Sequence, residues 1–439
     1  MAPSDVSVVD RSRDAAVQAR LAGENPIDYL KRRGYVQDIS NETALRALLD
    51  KETVTAYIGF DPTAVSLHVG HQMGIMMLAV LQRFGHRPIA LGGGGTALVG
   101  DPSGKTSTRQ LLTEDAIRSN LKSILLQFDR FLDFRGDRFG DNPPALLMNN
   151  ADWLLKLEYI PFLRDIGRHF SVNEMLAAET YKTRVDSGAG LNFVEFNYRI
   201  VQAYDFLHLY RTAGCRLQMG GSDQWGNIVA GVDLIRRVES GDAYALVCPL
   251  LTTASGQKMG KSEGNSVWLD GKLTSPFDFY QYWVNIDDAD VERLLKIYTF
   301  VPDDEIAAVT AGSGEQLRAA KRLLAQEITK LTHGEAAANE AVAAAAALFS
   351  GETSVEDRLS DPNIPSATVS AADGPSVAEL FVQAGMTSSR GEARRLAQQG
   401  GLSIDGIRVD DVDQAAPVDR PAVLLQVGKK RFKRVDFAE

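Results

Sequence analysis

Cysteine is scarce in this sequence, and it contains no long apolar run. The 439 residues include two cysteines, Cys215 and Cys248, too few for a disulfide framework or a cysteine-rich zinc site. The most apolar stretch, 341–349, is short, whereas a membrane-spanning helix needs about 20 apolar residues. The N-terminus also lacks the apolar core of a secretory signal. The sequence therefore indicates a soluble, cytoplasmic protein without a membrane segment.

Basic residues are outnumbered by acidic ones, but the balance changes along the chain. The 47 Lys and Arg against 57 Asp and Glu give a net charge of -10. Residues 376–439 hold ten basic and nine acidic residues, so this tail carries +1 and the first 375 residues carry -11. Five of the six residues at 429–434 are basic. This distribution fits either a solvated basic tail or a polyanion that touches only part of the surface.

Strand and helix patterns alternate over the first 270 or so residues. Apolar strand patterns occur at 53–59, 88–91, 145–148, 215–219 and 245–251. Helical patterns lie between them at 69–84, 113–132 and 193–211. This alternation predicts an α/β fold with a Rossmann-like, doubly wound parallel sheet. In such sheets ligands bind beyond the C-terminal ends of the strands, where the polar and glycine-rich segments of this chain fall.

The pattern changes after residue 268. Residues 276–348 are helical throughout, and 350–375 are rich in Ser, Asp and Pro, which is typical of a linker. A compact module follows, with a capping box at Ser389 and Glu392 and a hairpin turn at Asp405-Gly406. We therefore predict a catalytic domain at 1–272, an α-helical domain at 273–349, a linker at 350–374 and a small α+β domain at 375–439.

Two segments follow the first two predicted strands. Segment 59–71 (GFDPTAVSLHVGH) ends with His68 and His71 at a helix N-terminus, where free N–H groups favour phosphate and Gly70 leaves room for a flat ring. A metal site would need further ligands nearby, and two histidines capping a core helix are the structural alternative. Segment 92–106 ends like a P-loop, but Val99 stands where its first glycine belongs, which argues against an ordinary P-loop NTPase.

Three more segments carry polar groups with regular spacing. Tyr198, Gln202 and Asp205 share one face of a helix, and burying that face is costly unless it binds something polar; an exposed face is the alternative. Segment 218–227 (QMGGSDQWGN) leads from a strand end into a helix. Segment 258–262 (KMGKS) holds Lys258 and Lys261, which on a mobile loop can neutralise charge that develops on a transferring polyphosphate.

In this order, the segments resemble class I aminoacyl-tRNA synthetases, and among them the bacterial-type tyrosyl-tRNA synthetases. The HVGH at 68–71 is similar to the His-Ile-Gly-His signature, and KMGKS is similar to Lys-Met-Ser-Lys-Ser, with Gly260 in place of the middle serine. More specific are YIGFDPT from Tyr57, GDPSGK at 100–105, the spacing of Tyr198, Gln202 and Asp205, and GGSDQWGN at 220–227. The resemblance covers about 30–435, and its last part is similar to an S4-type RNA-binding fold.

The resemblance implies a two-step reaction. Tyrosine would attack ATP to give tyrosyl-adenylate and pyrophosphate, and tyrosine would then pass to the 3′ end of tRNA(Tyr). It also implies that Mg²⁺ binds together with ATP and that the protein itself has no dedicated metal site. The family is homodimeric, so the resemblance implies a homodimer as well. Catalysis would rest on positioning and on charge stabilisation, since no covalent enzyme intermediate is needed.

The resemblance further assigns roles to single residues. Tyr57 and Asp205 would read the phenol hydroxyl of tyrosine. The rest of the tyrosine molecule would be bound by Asp101, Asn150, Tyr198, Gln202 and Gln224. ATP would be bound by Asp61, His68, Gly70, His71, Gly220, Asp223, Lys258 and Lys261. The groups that act on the phosphates would be His68, His71, Lys258, Lys261, Lys105 and Arg109. The tRNA would be bound by Arg390, Arg394, Lys429, Lys430 and Arg431.

Three other classes share parts of this pattern. An ATP-dependent ligase or nucleotidyltransferase of the same superfamily would act on another acid. Tryptophanyl-tRNA synthetase would not be expected to present the pair Tyr57 and Asp205. A non-catalytic RNA-binding protein would have little use for His68, His71 and the two signature lysines. Tyrosine-dependent ATP–pyrophosphate exchange separates all of these classes.

Overall fold

A computed structural model describes most of the chain. The described residues are 12–103, 112–186, 188, 191–254, 256, 259–262, 265–349, 354–360, 364–372, 374–428 and 431–438. They form two compact units, which are considered separately below. The first comprises residues up to Thr274 together with Trp283–Gly334, and the second comprises Ser275–Tyr282 and Glu335–Glu439.

The strands and helices are numbered in chain order. The strands are β1 (Asp38–Ile39), β2 (Thr55–Phe60), β3 (Arg87–Gly92), β4 (Leu146–Asn149), β5 (Cys215–Gly221), β6 (Tyr244–Cys248), β7 (Lys261–Ser262), β8 (Asn265–Ser266), β9 (Ser366–Ser370), β10 (Leu402–Ile404), β11 (Ile407–Arg408), β12 (Ala422–Val427) and β13 (Arg431–Ala438). The helices are α1 (Ala15–Leu21), α2 (Pro26–Arg32), α3 (Glu42–Lys51), α4 (Val69–Arg83), α5 (Thr96–Val99), α6 (Glu114–Leu125), α7 (Ala151–Leu154), α8 (Tyr159–Asp165), α9 (Val172–Ala177), α10 (Glu179–Asp186), α11 (Phe193–Ala213), α12 (Trp225–Glu239), α13 (Pro276–Val284), α14 (Val291–Tyr298), α15 (Asp303–Thr310), α16 (Glu315–His333), α17 (Glu335–Phe349), α18 (Val355–Ser360), α19 (Val377–Gln383) and α20 (Arg390–Gln398).

The first unit contains the predicted parallel sheet. Its strand order is β1-β6-β5-β2-β3-β4, and all neighbours are parallel except β1, which pairs antiparallel with β6. The central strand β2 is apolar and almost wholly buried, as expected for a strand covered on both faces. The chain runs from β2 outward to β3 and β4 and then crosses to β5 on the other side of β2. This reversal of strand order is where a doubly wound sheet opens a crevice for a ligand.

Two helices that carry candidate residues have well-defined starts. Helix α4 begins with a capping box in which His68 accepts from the backbone of Gly70 and the His71 side chain accepts from the backbone of His68. Helix α11 begins with a capping box between Asn192 and Glu195 and ends at Gly214, whose positive φ closes the helix. These caps fix where each helix starts and so fix which side chains face the sheet.

The helices after residue 282 group differently from the prediction of a separate domain at 273–349. Helices α14, α15 and α16 belong to the first unit, and two buried hydrogen bonds show why. The hydroxyl of Tyr298 donates to the Val69 carbonyl at 3.1 Å, and Gln72 Nε2 donates to Thr332 Oγ1 at 3.2 Å. Both bonds reach helix α4, so these helices cover the helix that carries the two histidines.

The second unit contains a five-stranded sheet of order β11-β10-β12-β13-β9, with α19 and α20 packed on its apolar core. Strand β10 turns into β11 through Asp405 and Gly406, both at positive φ, which confirms the hairpin predicted there. Ser389 caps α20 by accepting from Glu392 N, but the Glu392 carboxylate returns to Ser388 rather than to Ser389.

The predicted linker at 350–374 is corrected by the structure. It contains helix α18 and strand β9, and β9 pairs in parallel with the last strand of the chain. Val369 and Ala367 of β9 point to the core, while its serines point outward. The five residues of this strand are small and lie in a Ser-rich stretch, so the composition did not indicate a strand, which is stabilised by pairing with β13 and by the packing of Val369 and Ala367 on the core. The C-terminal sheet therefore begins well before residue 375.

Within the described part of the chain, none of the helices is both long enough and apolar enough to cross a membrane.

Candidate active site

The C-terminal ends of four neighbouring strands bring the candidate residues together. Asp61 follows β2, the glycine run 92–95 ends β3, Asn150 follows β4, and Asp223 with Gln224 follows β5. Because these strands are parallel neighbours, their ends form one edge of the sheet. The structure therefore brings these candidate residues to one edge of the sheet, at the strand-order reversal.

The two histidines at the start of α4 lie against each other. Their rings stack with centroids 3.9 Å apart, and both are half-buried. His68 Nδ1 accepts from Gly70 N at 3.0 Å, and His71 Nδ1 accepts from His68 N at 3.2 Å. A neutral imidazole whose Nδ1 accepts carries its proton on Nε2. Each ring is thus prepared to donate an N–H, the group that a phosphate oxygen requires. The flat ring beside Gly70 is the imidazole of His68 itself.

The second signature segment docks on the first. Val267 N donates to the Gly260 carbonyl, and Val69 N at the start of α4 donates to the Val267 carbonyl. Gly260 has φ of +85°, and a Cβ there would lie 3.0 Å from Gly70 N. Both features favour glycine, since an L side chain rarely adopts that φ and its Cβ would crowd the α4 backbone. The departure from the serine of the related signature therefore has a local structural reason.

A network of hydrogen bonds starts at Asp61. Its Oδ2 accepts from the Tyr198 hydroxyl at 2.9 Å, and its Oδ1 accepts from Thr96 Oγ1 at 2.7 Å. A Cβ at Gly93 would overlap the Asp61 carboxylate, so the glycine run is what allows this approach. Burial, followed by the charge of Asp61, raises the pKa of Tyr198, so its hydroxyl stays protonated and serves as a donor. Thr96 was not identified from the sequence.

The network continues to Asp205 through Asn150. Asn150 Nδ2 donates to Thr96 Oγ1 at 3.0 Å and to Asp205 Oδ2 at 2.8 Å, while its Oδ1 accepts from Gly95 N. The other oxygen, Asp205 Oδ1, accepts from the indole Nε1 of Trp153 at 2.8 Å. Asp205 is 2% exposed, and burial raises its pKa to about 7 against the lowering effect of these two bonds. The carboxyl is therefore held in place by two N–H donors, while its burial favours the neutral form.

Tyr57 is the most unusual polar residue of the site. It is 1% exposed, and its hydroxyl has no hydrogen-bond partner among the described residues. Its ring packs edge-on against Phe206, with centroids 5.4 Å apart. Burial, followed by the charge of Asp205, raises the pKa of Tyr57, so Asp205 is close enough to act on it electrostatically. A buried unpaired hydroxyl costs about 1–3 kcal/mol, which a bound polar group would offset.

A third group of side chains lies on the β5 side of the crevice. Gln224 Nε2 donates to Asp101 Oδ2 at 2.8 Å and more weakly to Asp223 Oδ2 at 3.3 Å. The other oxygen of Asp101 accepts from Ser103 N. Gly220 lies at the end of β5, and the side chains of Ile228 and Gln224 lie close to the position that a Cβ of residue 220 would take. Gln202 is half-buried on α11, between Tyr198 and Asp205.

Other candidate residues lie elsewhere. Lys261 is in β7, which pairs with β8. The second unit holds Arg390, paired with Glu379, and Arg394, whose Nη2 contacts both carboxylate oxygens of Asp413 at 2.7 and 2.9 Å. Arg431 Nη2 donates to the Met386 carbonyl beyond the end of α19. The candidates outside the described residues are Lys105, Arg109, Lys258, Lys429 and Lys430.

Trp153 is a second residue of this network that sequence reasoning missed. The signal was present, because it stands three residues after Asn150 at the end of a strand, and residues so spaced on a helical turn share a face. A search of the described residues finds no group of three or more His, Cys, Asp or Glu side chains that would hold a metal ion.

Comparison with known proteins agrees with this geometry. The family model described as tRNA synthetases class I (W and Y) matches residues 49–350, and the model of the tyrosine--tRNA ligase SYY-like C-terminal domain matches 356–435. A tyrosine--tRNA ligase of Clostridium botulinum is 49% identical over 417 residues, which is 94% of this chain and 99% of the relative. One from Desulfosudis oleivorans is 49% identical over 430 residues, covering 93% and 98%.

A solved structure extends the likeness to three dimensions. The C-terminally truncated mitochondrial tyrosyl-tRNA synthetase of Aspergillus nidulans has a TM-score of 0.68 and 31% identity, covering 76% of this chain and 97% of its own. The chain therefore belongs to the class I tRNA synthetases that act on tryptophan or tyrosine. Within that family its place is among the tyrosine--tRNA ligases, which confirms the resemblance inferred from the motifs.

Proposed function

We propose that this chain activates L-tyrosine with ATP to tyrosyl-adenylate and pyrophosphate, and then transfers tyrosine to the 3′ end of tRNA(Tyr). The observation that carries the substrate choice is the buried, unpartnered Tyr57 hydroxyl beside the fixed Asp205 carboxyl. The phenol hydroxyl of a bound tyrosine would accept a hydrogen bond from the Tyr57 hydroxyl and donate one to the Asp205 carboxylate. Both buried groups would then have a hydrogen-bond partner. A ligand without that hydroxyl leaves them desolvated and unpaired. Tyrosyl-tRNA synthetases are the standard example of this selectivity, so the principle is general and only the placement is specific to this chain.

ATP–pyrophosphate exchange tests this proposal directly. Exchange should depend on tyrosine and should be far slower with phenylalanine or tryptophan at equal concentration. Exchange driven by tryptophan would indicate the neighbouring branch of the family, and exchange driven by another acid would indicate a different ligase. No exchange with any amino acid would indicate a non-catalytic protein.

The rest of the substrate has candidate partners on each side of the crevice. Asp101, Tyr198, Gln202 and Gln224 would hold the tyrosine ammonium and backbone. Asn150 already has protein partners for both amide protons, so we assign it to positioning Asp205. Asp61, Gly70, Gly220 and Asp223 would lie along the adenylate. His68, His71, Lys258 and Lys261, with Lys105 and Arg109, would neutralise the phosphates, and Mg²⁺ would arrive with the ATP.

Removing the Tyr57 hydroxyl should reduce discrimination between tyrosine and phenylalanine. In Tyr57→Phe the ratio of kcat/KM for the two amino acids should fall roughly tenfold, because one neutral hydrogen bond to the substrate is lost. Pyrophosphate exchange with each amino acid gives the ratio. Tyr35→Phe is the matched control, since that buried hydroxyl donates to the Ile297 carbonyl away from the site. An unchanged ratio in Tyr57→Phe would remove Tyr57 from the recognition of the phenol.

We also propose that the protein is a homodimer. Large apolar side chains are exposed at several positions of the segment 155–194, and such exposed apolar residues are typical of an interface between subunits. The exposed residues are Leu155, Tyr159, Ile160, Val172, Leu176, Val185, Phe193 and Val194. Ile160 is 69% exposed, and Ile160→Asp should shift the protein toward monomer in sedimentation velocity. Ile407→Asp, at a similarly exposed isoleucine of the second unit, should leave the oligomeric state unchanged. If both variants become monomeric, or if neither does, the segment 155–194 does not form the dimer interface.

The second unit is proposed to bind tRNA through Arg390, Arg394, Arg431 and the neighbouring Lys429 and Lys430. Because β9 belongs to its sheet, a clean truncation must begin before residue 366. Removing 351–439 should leave tyrosine-dependent exchange close to that of the full chain, while charging of tRNA falls strongly. Aminoacylation with labelled tyrosine measures the second step. Normal charging by the truncated protein would show that residues 351–439 are dispensable for charging of tRNA.

A further inference from the structure

The Asp205 carboxyl depends on a side chain carried by a very short helix. Trp153 lies on α7, a helix of four residues, and its indole donates to Asp205 Oδ1. A helix of one turn gains little stability from its own backbone, so the position of Trp153 depends on the core residues around its side chain. A flat contact on the face of the indole helps to fix its plane, which matters because the N–H···O bond weakens steeply once its angle departs from linear.

His208 supplies that contact. Its imidazole stacks on the Trp153 indole with centroids 4.3 Å apart and planes inclined by 16°. His208 follows Asp205 by three residues on α11, so both side chains lie on one face of a long, capped helix. Behind His208, the Tyr204 ring lies 6.4 Å away, and Phe162 of α8 meets Tyr204 edge-on at 5.5 Å. The imidazole is half-buried and belongs to a row of aromatic rings that ends at the carboxyl.

We propose that His208 is a positioning residue for tyrosine recognition, because its ring holds the Trp153 indole in the plane from which Nε1 donates to Asp205. The inference rests on the proposed reading of the phenol by Asp205 and adds a residue to it. His208 itself touches no reacting atom in this arrangement. It acts indirectly: by orienting the Trp153 indole, it affects the orientation of the Asp205 carboxylate and its strength as a hydrogen-bond acceptor.

The physical consequence is a loss of selectivity rather than of catalysis. Without the stack, the indole loses one of the contacts that hold its plane, so its hydrogen bond to Asp205 weakens and Asn150 is left as the firmly held N–H donor. A buried carboxylate with fewer donors favours its neutral form and becomes a weaker acceptor for the phenol. A stacked pair of rings contributes enough to alter such an equilibrium by about two- to tenfold. The groups proposed to act on the ATP phosphates are not part of this chain of contacts.

Pyrophosphate exchange with three variants tests the proposal. In His208→Ala, KM for tyrosine should rise and the preference for tyrosine over phenylalanine should fall, each by about two- to tenfold, while KM for ATP stays constant. His208→Phe keeps a planar ring and should restore both values. Tyr210→Ala is the matched control: it removes a half-buried ring from the same helix, one that packs against Gly241. It should leave both values unchanged.

The results separate the role of His208 from the role of Asp205 in recognising the phenol. An unchanged preference in His208→Ala, no recovery in His208→Phe, or an equal change in Tyr210→Ala overturns the role of His208. Asp205→Asn is measured in parallel. If it alters the preference while His208→Ala does not, only the role of His208 fails. If Asp205→Asn itself leaves the preference unchanged, the proposed reading of the phenol by Asp205 fails, and the inference about His208 fails with it.

Discussion

Replacing His71 with alanine should slow the formation of tyrosyl-adenylate by about 10²–10³-fold and leave tyrosine binding nearly unchanged. His71 Nδ1 accepts from the His68 backbone, so its Nε2 carries the proton and donates. A donor aimed at charge that grows only in the transition state changes the rate and not the affinity of the ground state. Rapid-quench measurement of adenylate formation, with equilibrium dialysis of tyrosine, separates these two quantities.

The loss of a helix cap must be separated from the loss of a phosphate donor. His71→Gln provides this control, because its amide oxygen can accept from the His68 backbone and its amide protons can donate to phosphate. It should keep part of the rate. His169→Ala, at a histidine outside the crevice, should change neither quantity. If His71→Ala weakened tyrosine binding as much as it slowed the reaction, His71 would be a structural cap of α4 and not a phosphate ligand.

Local pattern predicted most of the sheet and the composition of the crevice. The strands β2, β3, β5 and β6 are short apolar runs bounded by polar or glycine-rich segments, and parallel strands buried on both faces have that pattern in any context. Since all their C-terminal ends lie at one edge, the polar residues that follow them had to meet. Proximity of Asp61, Asn150 and Asp223, which follow β2, β4 and β5, could thus be predicted from chain order alone.

The hydrogen-bond partners within the crevice could not be predicted in this way. Tyr198 meets Asp61 across 137 residues of sequence, and Gln224 meets Asp101 across 123. Such contacts depend on side-chain direction at the strand ends and on the close approach that the glycine run permits. Trp153 and Thr96 therefore went unassigned, although Thr96 lies within the segment 92–106 that the sequence singles out.

Strands β1 and β9 were missed because their stability comes from distant partners. Strand β1 is two residues long and exists by antiparallel pairing with β6, about 200 residues later. Strand β9 is too polar to be identified by its composition and is fixed by β13. Gly260 is a different case. The sequence showed that it replaces a serine, but its positive φ and its contact with α4 depend on how the loop docks.

The N-terminal residues ahead of the family match also have a structural role, through one buried ion pair. Asp14 and Arg83 are each 3% exposed, and Arg83 Nε lies 2.6 Å from Asp14 Oδ2. The other oxygen, Asp14 Oδ1, caps α1 by accepting from the backbone of Ala16 and Val17. The guanidinium lies 3.6 Å from the ring centroid of Phe300, so water has little access to it. Arg83 is the last residue of α4, the helix that begins at the two histidines.

Asp14→Ala should therefore destabilise the first unit by about 3–5 kcal/mol, because it leaves the Arg83 guanidinium buried without a counter-charge. Thermal or urea unfolding of the full chain measures the loss. The neighbouring variant Arg13→Ala is the matched control: its ion pair with Glu305 is at the surface, with Arg13 60% exposed, and should contribute less than about 1 kcal/mol. The double variant Asp14→Leu, Arg83→Met removes both charges and should recover most of the loss, since a buried ion pair can be replaced by apolar side chains of similar volume. Equal stability of Asp14→Ala and Arg13→Ala would show that the pair of Asp14 and Arg83 is not buried in solution. A double variant no more stable than Asp14→Ala would show that the loss of stability comes from the α1 cap and not from the unpaired charge.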